Sequence, residues 1–308
     1  MNADMAINKT ALRGTLLNNE PLSRHTSWRV GGTAARYYQP ADIDDLALFV
    51  SQLPGDEKIY WIGLGSNLLV RDGGFAGTII CTSGVLNNIH FLADGLVEVE
   101  AGVACPKVAR QCAKHGLQGA EFLSGIPGTM GGALAMNAGA FGGETWQVID
   151  SVRTVDRSGI LHERCPAEYQ IGYRHVNGPQ CEWFVSAKLK LQQGDSEQSL
   201  QKIKQLLAKR GTSQPTQQPN AGSVFRNPEG DYAARLIEEA GLKGTCIGGA
   251  CVSDKHANFI VNTGTATASD IELLINKVAE EVRAQHQIEL KTEVCIVGEP
   301  ETTNGEQR

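Results

Sequence analysis

Two glycine-rich runs and one isolated serine hold the residue types from which chemistry could be built. In Trp61–Val70, WIGLGSNLLV, Gly63 and Gly65 stand beside Ser66 and Asn67. Bare backbone N–H groups and short polar side chains thus converge where a pyrophosphate could be cradled. Ser124–Gly143, SGIPGTMGGALAMNAGAFGG, interleaves seven glycines with Ile126, Met130, Leu134 and Met136. Bare backbone there can lie against a flat heteroaromatic ligand while apolar side chains pack behind it. Two such loops close together in the chain point to a large nucleotide cofactor. The serine is Ser223, inside Asn220–Pro228, NAGSVFRNP, with no histidine or carboxylate beside it. Taken alone, that segment is a turn entering a strand.

Other chemistries lack their spacings. The seven histidines are scattered, no two cysteines stand in a CxxC pair, and neither G-x-S-x-G nor GxxxxGK[ST] occurs. The eight cysteines fall in apolar runs and loops, the pattern of reduced core thiols rather than a disulfide scaffold or zinc site. A net charge of −6 argues against broad nucleic-acid binding, which needs clustered cations. No run approaches the roughly 18 apolar residues of a membrane span, and Met1–Asn8 lacks the basic start and apolar core of a signal peptide. The expectation is a cytoplasmic enzyme with no nucleic-acid or membrane partner. Oligomeric state is not legible, and a monomer is compatible with the sequence.

The elements that must position these loops follow from hydrophobic period and punctuation. Ala41–Leu53 has helical spacing, and Ile59–Ile62, Leu68–Val70 and Thr78–Cys81 have the character of short strands. A dinucleotide fold of the Rossmann type would start a helix after Gly65. Here one apolar strand follows another, leaving an anion cradle or a plain hairpin. Leu96–Glu100 alternates as a strand, and Pro106–His115 fits a helix with proline in its first turn. Val148–Val155, Ile160–Arg164 and Trp183–Leu191 are strands of a β-rich part. Glu197–Arg210 places Leu200, Ile203, Leu206 and Leu207 on one helical face and ends at Gly211. Thr212–Pro219 is the best linker. Tyr232–Ala240 is a helix stopped by Gly241. Asp270–Gln285 is the clearest amphipathic helix, with Ile271, Leu274, Ile275, Val278 and Val282 on one side and Ser269 as cap. Ile288–Val297 is a last strand carrying Glu293. The first twenty or so residues and the tail from Glu299 are polar arms.

Read in order, Trp28-Arg29-Val30-Gly31-Gly32-Thr33-Ala34, Gly63-Leu64-Gly65-Ser66-Asn67-Leu68-Leu69-Val70 and Gly125-Ile126-Pro127-Gly128-Thr129-Met130-Gly131-Gly132 resemble the FAD-binding half of the UDP-N-acetylenolpyruvoylglucosamine reductase family. GYR at Gly172–Arg174, NAGSVFRNP, and VSDKHANFIVN at Val252–Asn262 extend the likeness to nearly the whole chain, from about Leu22 to Gly298. The resemblance implies an α+β chain with the FAD-binding vanillyl-alcohol-oxidase (PCMH-type) fold, two α/β subdomains that hold FAD and a C-terminal α+β substrate domain. Its implied boundaries are 22–83 and 84–210 for FAD, 211–298 for substrate, and arms at 1–21 and 299–308. The implied reaction is NADPH-dependent reduction of UDP-N-acetylglucosamine-enolpyruvate to UDP-N-acetylmuramate in peptidoglycan precursor synthesis. FAD would be bound non-covalently, with NADPH as co-substrate.

The family's catalytic set maps onto Arg174, Ser223 and Glu293, and its substrate contacts onto Tyr173 and Asn227. Its cofactor contacts map onto Gly63, Gly65, Ser66, Asn67, Leu68, Gly125, Ile126, Gly128, Gly131, Gly132, Asn137 and Gly139. These types suit hydride addition to an enolpyruvyl ether. Arginine stabilises the developing enolate, and a positioned serine hydroxyl can protonate a strongly basic carbon without a histidine. The chain departs from the family at three places. His175-Val176 follow Arg174 where a small hydroxyl residue is common two positions on, and Thr292 and Cys295 stand where proline and arginine are common. Lys209, Arg210 and Gln214 are the candidates for binding the diphosphate. The short interval from Tyr173 to Ser223 matches the branch without the extra substrate-covering loop. Alternative readings are a flavin oxidase or dehydrogenase of small alcohols or sugar lactones on the same fold, and a nucleotide-binding module without turnover.

Overall fold

The computed structural model describes residues 7–301. The expected arms fall partly outside that range; within it, the opening segment is more than an arm. Thr15–Pro21 is the outer strand of a four-stranded sheet ordered Thr15–Pro21, Thr33–Gln39, Phe75–Cys81, Ile59–Ile62. A polar sequence can do this because an edge strand pairs through its backbone and keeps much of its surface wet. The described residues divide into two compact units. The first holds those up to Leu17, Arg36–Gly63 and Gly77–Lys209; the second holds Asn18–Ala35, Leu64–Ala76 and those from Arg210.

In the first unit, a five-stranded antiparallel sheet runs Leu161–Arg164, Ile149–Asp156, Glu182–Lys190, Leu96–Glu100, Ile89–Phe91. Alternation buries Val97 and Val99 on one face. Helix α1 is Ile43–Ser51, and helix α2 (Cys105–Lys114) covers that core with Cys105, Val108, Ala109, Cys112 and Ala113, the i, i+3, i+4, i+7, i+8 stripe of an amphipathic helix. Its proline stands in the first turn, where a missing N–H leaves no bond unmade.

The second unit centres on a three-stranded antiparallel sheet, Cys246–Ile247, Ala250–Val252 and Ile260–Asn262, with helices α5 (Ala233–Glu239) and α6 (Ala268–His286). The expected stripe Ile271, Leu274, Ile275, Val278 and Val282 is buried, each side chain worth about 1.5–3 kcal/mol of transfer from water. The cap differs from expectation. Thr267, not Ser269, accepts the Asp270 N–H at 3.0 Å, and Asp270 reaches back to the Thr267 N–H at 3.0 Å. This reciprocal pair needs the three-residue spacing that Ser269 lacks. The Ser269 N–H donates instead to Asp72 at 2.8 Å.

Three more expectations are corrected. Helix α4 (Ser196–Ser213) continues past Gly211, and the chain meets no residue barred from a helix interior until Pro215; Leu207 on its expected apolar face is 37% exposed. The expected strand Ile288–Val297 is only Cys295–Val297, with a single bridge at Thr292. The cysteines are not all core thiols. Cys246 and Cys251 form a disulfide because the hairpin register sets them directly opposite, Cα to Cα 4.1 Å. Cys165, Cys181 and Cys295 are exposed. Cys81, Cys105 and Cys112 are buried, and burial pushes the Cys105 and Cys112 thiols up to about 12, so both stay protonated.

Candidate functional site

The loop after Ile59–Ile62 is not a hairpin. Ile59–Ile62 pairs in parallel with Phe75–Cys81, and Leu68–Val70 pairs in parallel with Cys295–Val297. The two strands flanking Gly63–Asn67 therefore lie in different sheets, so the loop is a connection and not a hairpin turn. Gly65 has φ +60 and is buried, and its carbonyl accepts the Ser27 N–H at 3.1 Å. A Cβ there would run into the carbonyl of His25 and lie 2.8 Å from Thr26 Cα, both fixed backbone. Gly65→Ala is expected to lower stability by more than about 1 kcal/mol and to reduce the flavin retained on purification. Gly55, with open space around it and an ordinary φ, is the control. Melting temperature and the flavin-to-protein absorbance ratio check this, and a Gly65→Ala protein that melts and retains flavin like Gly55→Ala would contradict it.

Asn67 anchors the same loop. Its Nδ2 donates to the Glu293 carbonyl at 2.9 Å, and its own carbonyl accepts the Cys295 N–H at 3.0 Å. Ser66 is half-buried and Leu68 buried.

The second glycine run contains a helix that the glycine content concealed, α3 (Met130–Met136). It forms because the run is fastened to the turn at Ala101–Val103. The N–H groups of Met130 and Gly131 donate to Val103 and Ala101 at 2.8 Å, and Cys105 N–H donates to Gly128 at 2.9 Å. Gly131 lies so close to Ala101 that its Cβ would stand 3.0 Å from the alanine methyl. Ile126 is buried, and Gly125 faces the Phe141 ring, which a Cβ would strike.

Thr129, the residue before α3, was not among the expected contacts. It is 2% exposed, and its hydroxyl has no hydrogen-bond partner among the described residues. It lies where a side chain on Gly63 would collide with it, and 3.8 Å from the Cβ position of Gly132. A buried hydroxyl without a partner is costly, so a ligand atom is the natural partner here. A partnerless buried hydroxyl set against the bare backbone of Gly63 and Gly132 fits a bound flavin nucleotide. The signal was present in the sequence as the one hydroxyl residue inside GIPGTMGG.

Tyr173 and Arg174 form the two-residue loop of a hairpin between Gln170–Gly172 and His175–Asn177, with Gly172 opposite His175. Arg174 takes a left-handed backbone, φ 53, and its guanidinium stands over the Tyr173 ring at 5.1 Å. It also makes long donations to the carbonyls of Asn137, 3.5 Å, and Gly139, 3.3 Å. Gly139 permits this approach, since a Cβ there would stand 3.4 Å from Arg174 Nη1 and 2.6 Å from Gly143 O. The Asn137 carboxamide is committed within the protein. It donates to Glu144 at 2.8 Å and to the Gly172 carbonyl at 3.1 Å, and accepts the Trp146 N–H at 3.1 Å. Contact between Asn137 and a cofactor would therefore use its backbone. The same carboxamide ties the glycine run to the arginine's hairpin, so the two expected roles are joined in the first unit.

Ser223 and Glu293 belong to the second unit, and there the residue after Ser223 is hydrogen-bonded to Glu293. Ser223 follows Gly222, which has φ +75 in open space, so glycine is needed for its backbone and not for room. The next residue, Val224, accepts through its carbonyl the N–H groups of Glu293, 2.8 Å, and Val294, 3.4 Å. Two successive donors on one carbonyl kink the chain at Glu293, which is why the expected long strand is broken there. Asn227 lies beyond, with its Oδ1 accepting the Ala233 N–H at 3.1 Å as α5 begins.

Among the described residues no group of three histidines, cysteines or carboxylates could hold a metal, and no helix is long and apolar enough to cross a membrane. The family model described as UDP-N-acetylenolpyruvoylglucosamine reductase, C-terminal domain, matches residues 214–297, and one described as FAD binding domain matches 34–164. A protein of Legionella pneumophila named UDP-N-acetylenolpyruvoylglucosamine reductase is 60% identical over 94% of this chain and 94% of its own. One of that name from Methylococcus capsulatus is 58% identical over 93% of this chain and 94% of its own. The crystal structure of UDP-N-acetylenolpyruvylglucosamine reductase from Thermus caldophilus superposes with a TM-score of 0.79 at 32% identity, covering 92% of this chain and 99% of that one. The α+β, FAD-binding fold expected from the sequence is thereby confirmed.

Proposed function

Because this chain belongs to the UDP-N-acetylenolpyruvoylglucosamine reductase family, we infer that it reduces UDP-N-acetylglucosamine-enolpyruvate to UDP-N-acetylmuramate with NADPH, through FAD, in peptidoglycan precursor synthesis. The observation that carries this reading is the presence in one chain of an FAD-binding domain and of the reductase's own C-terminal domain, the part that an alcohol or lactone oxidase would not need. Bound FAD supplies the two-electron relay from NADPH to the terminal carbon of the enolpyruvyl ether.

The protein's own contribution follows from the residues described. The loops at Gly63, Gly65, Ser66, Asn67 and Leu68 and at Gly125, Ile126, Gly128, Gly131, Gly132 and Gly139 would hold the cofactor, with Asn137 joining through its backbone. Thr129 Oγ1 would donate to or accept from it. Arg174, permanently charged and fork-shaped, would stabilise the enolate that develops on the substrate carboxylate and its adjacent carbon. Glu293 would orient or polarise the same centre. Ser223 Oγ would deliver the proton to that carbon, and Tyr173 and Asn227 would contact the substrate. The division into 22–83, 84–210 and 211–298 belongs to the same proposal, as does a cytoplasmic location. Cytosolic thiol buffers reduce most disulfides, so the Cys246–Cys251 bond is given no part in the reaction.

The test is anaerobic stopped-flow spectroscopy of the flavin-loaded protein. NADPH is expected to bleach the flavin absorbance, and UDP-N-acetylglucosamine-enolpyruvate to restore it with formation of UDP-N-acetylmuramate. Failure of the enolpyruvyl substrate to reoxidise a flavin that NADPH has reduced would remove this function while leaving a flavoprotein.

A further inference from the structure

The segment that carries Ser223 is held from one side by a single carboxamide, that of Asn258. This residue lies in VSDKHANFIVN and is 3% exposed. Its Oδ1 accepts the Phe225 N–H at 2.9 Å, its Nδ2 donates to the Phe225 carbonyl at 2.8 Å, and its backbone carbonyl accepts the Val224 N–H at 2.9 Å. Val224 and Phe225 are themselves 1% and 2% exposed, so their backbone groups need partners inside the protein. Asn258 satisfies three of the four, and the fourth, the Val224 carbonyl, receives the Glu293 N–H. On that opposite side Arg226 N–H also donates to the Lys291 carbonyl at 2.9 Å, and Phe225 bridges Thr292. The side chain of Asn258 thus does the work of a neighbouring strand, with one donor and one acceptor at the spacing of a peptide group. Asn258 is itself fixed, because its N–H donates to His256 Nδ1 at 3.3 Å. Burial holds His256 below its ordinary pKa, keeping that nitrogen an acceptor at neutral pH.

We propose that Asn258 is a positioning residue for the protonation step: by pairing the Val224 N–H and both backbone groups of Phe225 it sets the Ser223 hydroxyl in register with Glu293. Only a side chain that carries a donor and an acceptor on separate atoms, as a carboxamide does, can do this. Valine or leucine would leave two buried backbone groups unpaired, and aspartate would turn the donor into a second acceptor facing the Phe225 carbonyl. The inference rests on the reading of Ser223 as proton donor, and the experiment separates the two.

The two half-reactions are measured in Asn258→Asp, Asn258→Ser and Ser223→Ala and in the double variants. Asn258→Ser keeps the backbone bond to Val224 and serves if the buried carboxylate prevents folding. The expected result is a 10- to 100-fold slower reoxidation of reduced flavin by the enolpyruvyl substrate, the order of loss from about 1 Å of misplacement, with flavin reduction by NADPH unchanged. In the Ser223→Ala background the Asn258 substitution is expected to add nothing further, because both act on the same proton. Hydrogen exchange at the Phe225 amide of Asn258→Ser should rise selectively, with or without flavin bound. Slow reoxidation in Ser223→Ala alongside a wild-type rate in Asn258→Ser would overturn the role of Asn258 alone. A wild-type rate in Ser223→Ala would overturn both. Equal losses in both half-reactions and in flavin retention would reduce Asn258 to a merely structural residue.

Discussion

A Ser223→Ala enzyme is expected to accept electrons from NADPH at the normal rate and then stall, its reoxidation by the enolpyruvyl substrate slowed by about 10²–10⁴-fold, the usual contribution of a positioned acid. The two half-reactions separate because the proposed role of the serine is to protonate the substrate carbon, a step that electron transfer from NADPH does not include. The substitution removes one oxygen and keeps the backbone. Val224 and Phe225 retain their bonds to Asn258 and Glu293, so folding and melting temperature should hold to within about 0.5 kcal/mol, the range for a change outside a packed core. Stopped-flow traces with each substrate in turn give the answer. Wild-type reoxidation would remove Ser223 from the mechanism. Slowing of both steps would mean that the alanine disturbed the fold.

What the sequence disclosed depended on whether the signal was local. The α6 stripe and the alternation at Val97 and Val99 were legible because a buried helix face or strand face writes its period directly into the residue types. Helix α3 was hidden because Gly131 and Gly132 lower helix propensity, and only bonds to Ala101 and Val103, about thirty residues earlier, hold the run in place. The strand ending at Val297 was overextended for the opposite reason. Its apolar pattern continues through Glu293, but two N–H groups on one carbonyl break the ladder there. Cys246 and Cys251 gave no disulfide signal, since only the hairpin register places them face to face. In the candidate site the two glycine loops were visible as unusual local composition, whereas the Ser223 segment taken alone is a turn entering a strand and Ser223 has its role only from the family resemblance. Arg174 and Glu293 came only from family resemblance, because nothing near either one marks it. Thr129 and Asn258 carry no local mark of their own, although both lie within these motifs. The importance of each comes from being buried, one without a partner and the other with every polar atom engaged.

Arg174 gives the other large effect, and here stability and activity should move in opposite directions. A non-glycine residue at φ 53 in a two-residue hairpin loop is strained by about 1–3 kcal/mol, a position that glycine or asparagine fills at less cost. The chain keeps arginine there, with long bonds to Asn137 and Gly139 and the Tyr173 ring beneath. Strain of this kind persists where the side chain serves a purpose that the backbone does not. Arg174→Gly is therefore expected to melt higher, by about 2 °C for each kcal/mol released in a chain of this length, while turnover of the enolpyruvyl substrate falls by at least about 10²–10³-fold, the loss of one donor to a developing oxyanion. Arg174→Lys separates charge from shape. Lysine restores a cation but not the planar fork, so it should recover only a small part of the lost rate and none of the stability gained by glycine. Melting curves and single-turnover reoxidation rates for the two variants decide the matter. If Arg174→Gly melts lower than wild type, the left-handed arginine was not a source of strain. If Arg174→Lys turns over at the wild-type rate, charge alone suffices and the fork geometry plays no part.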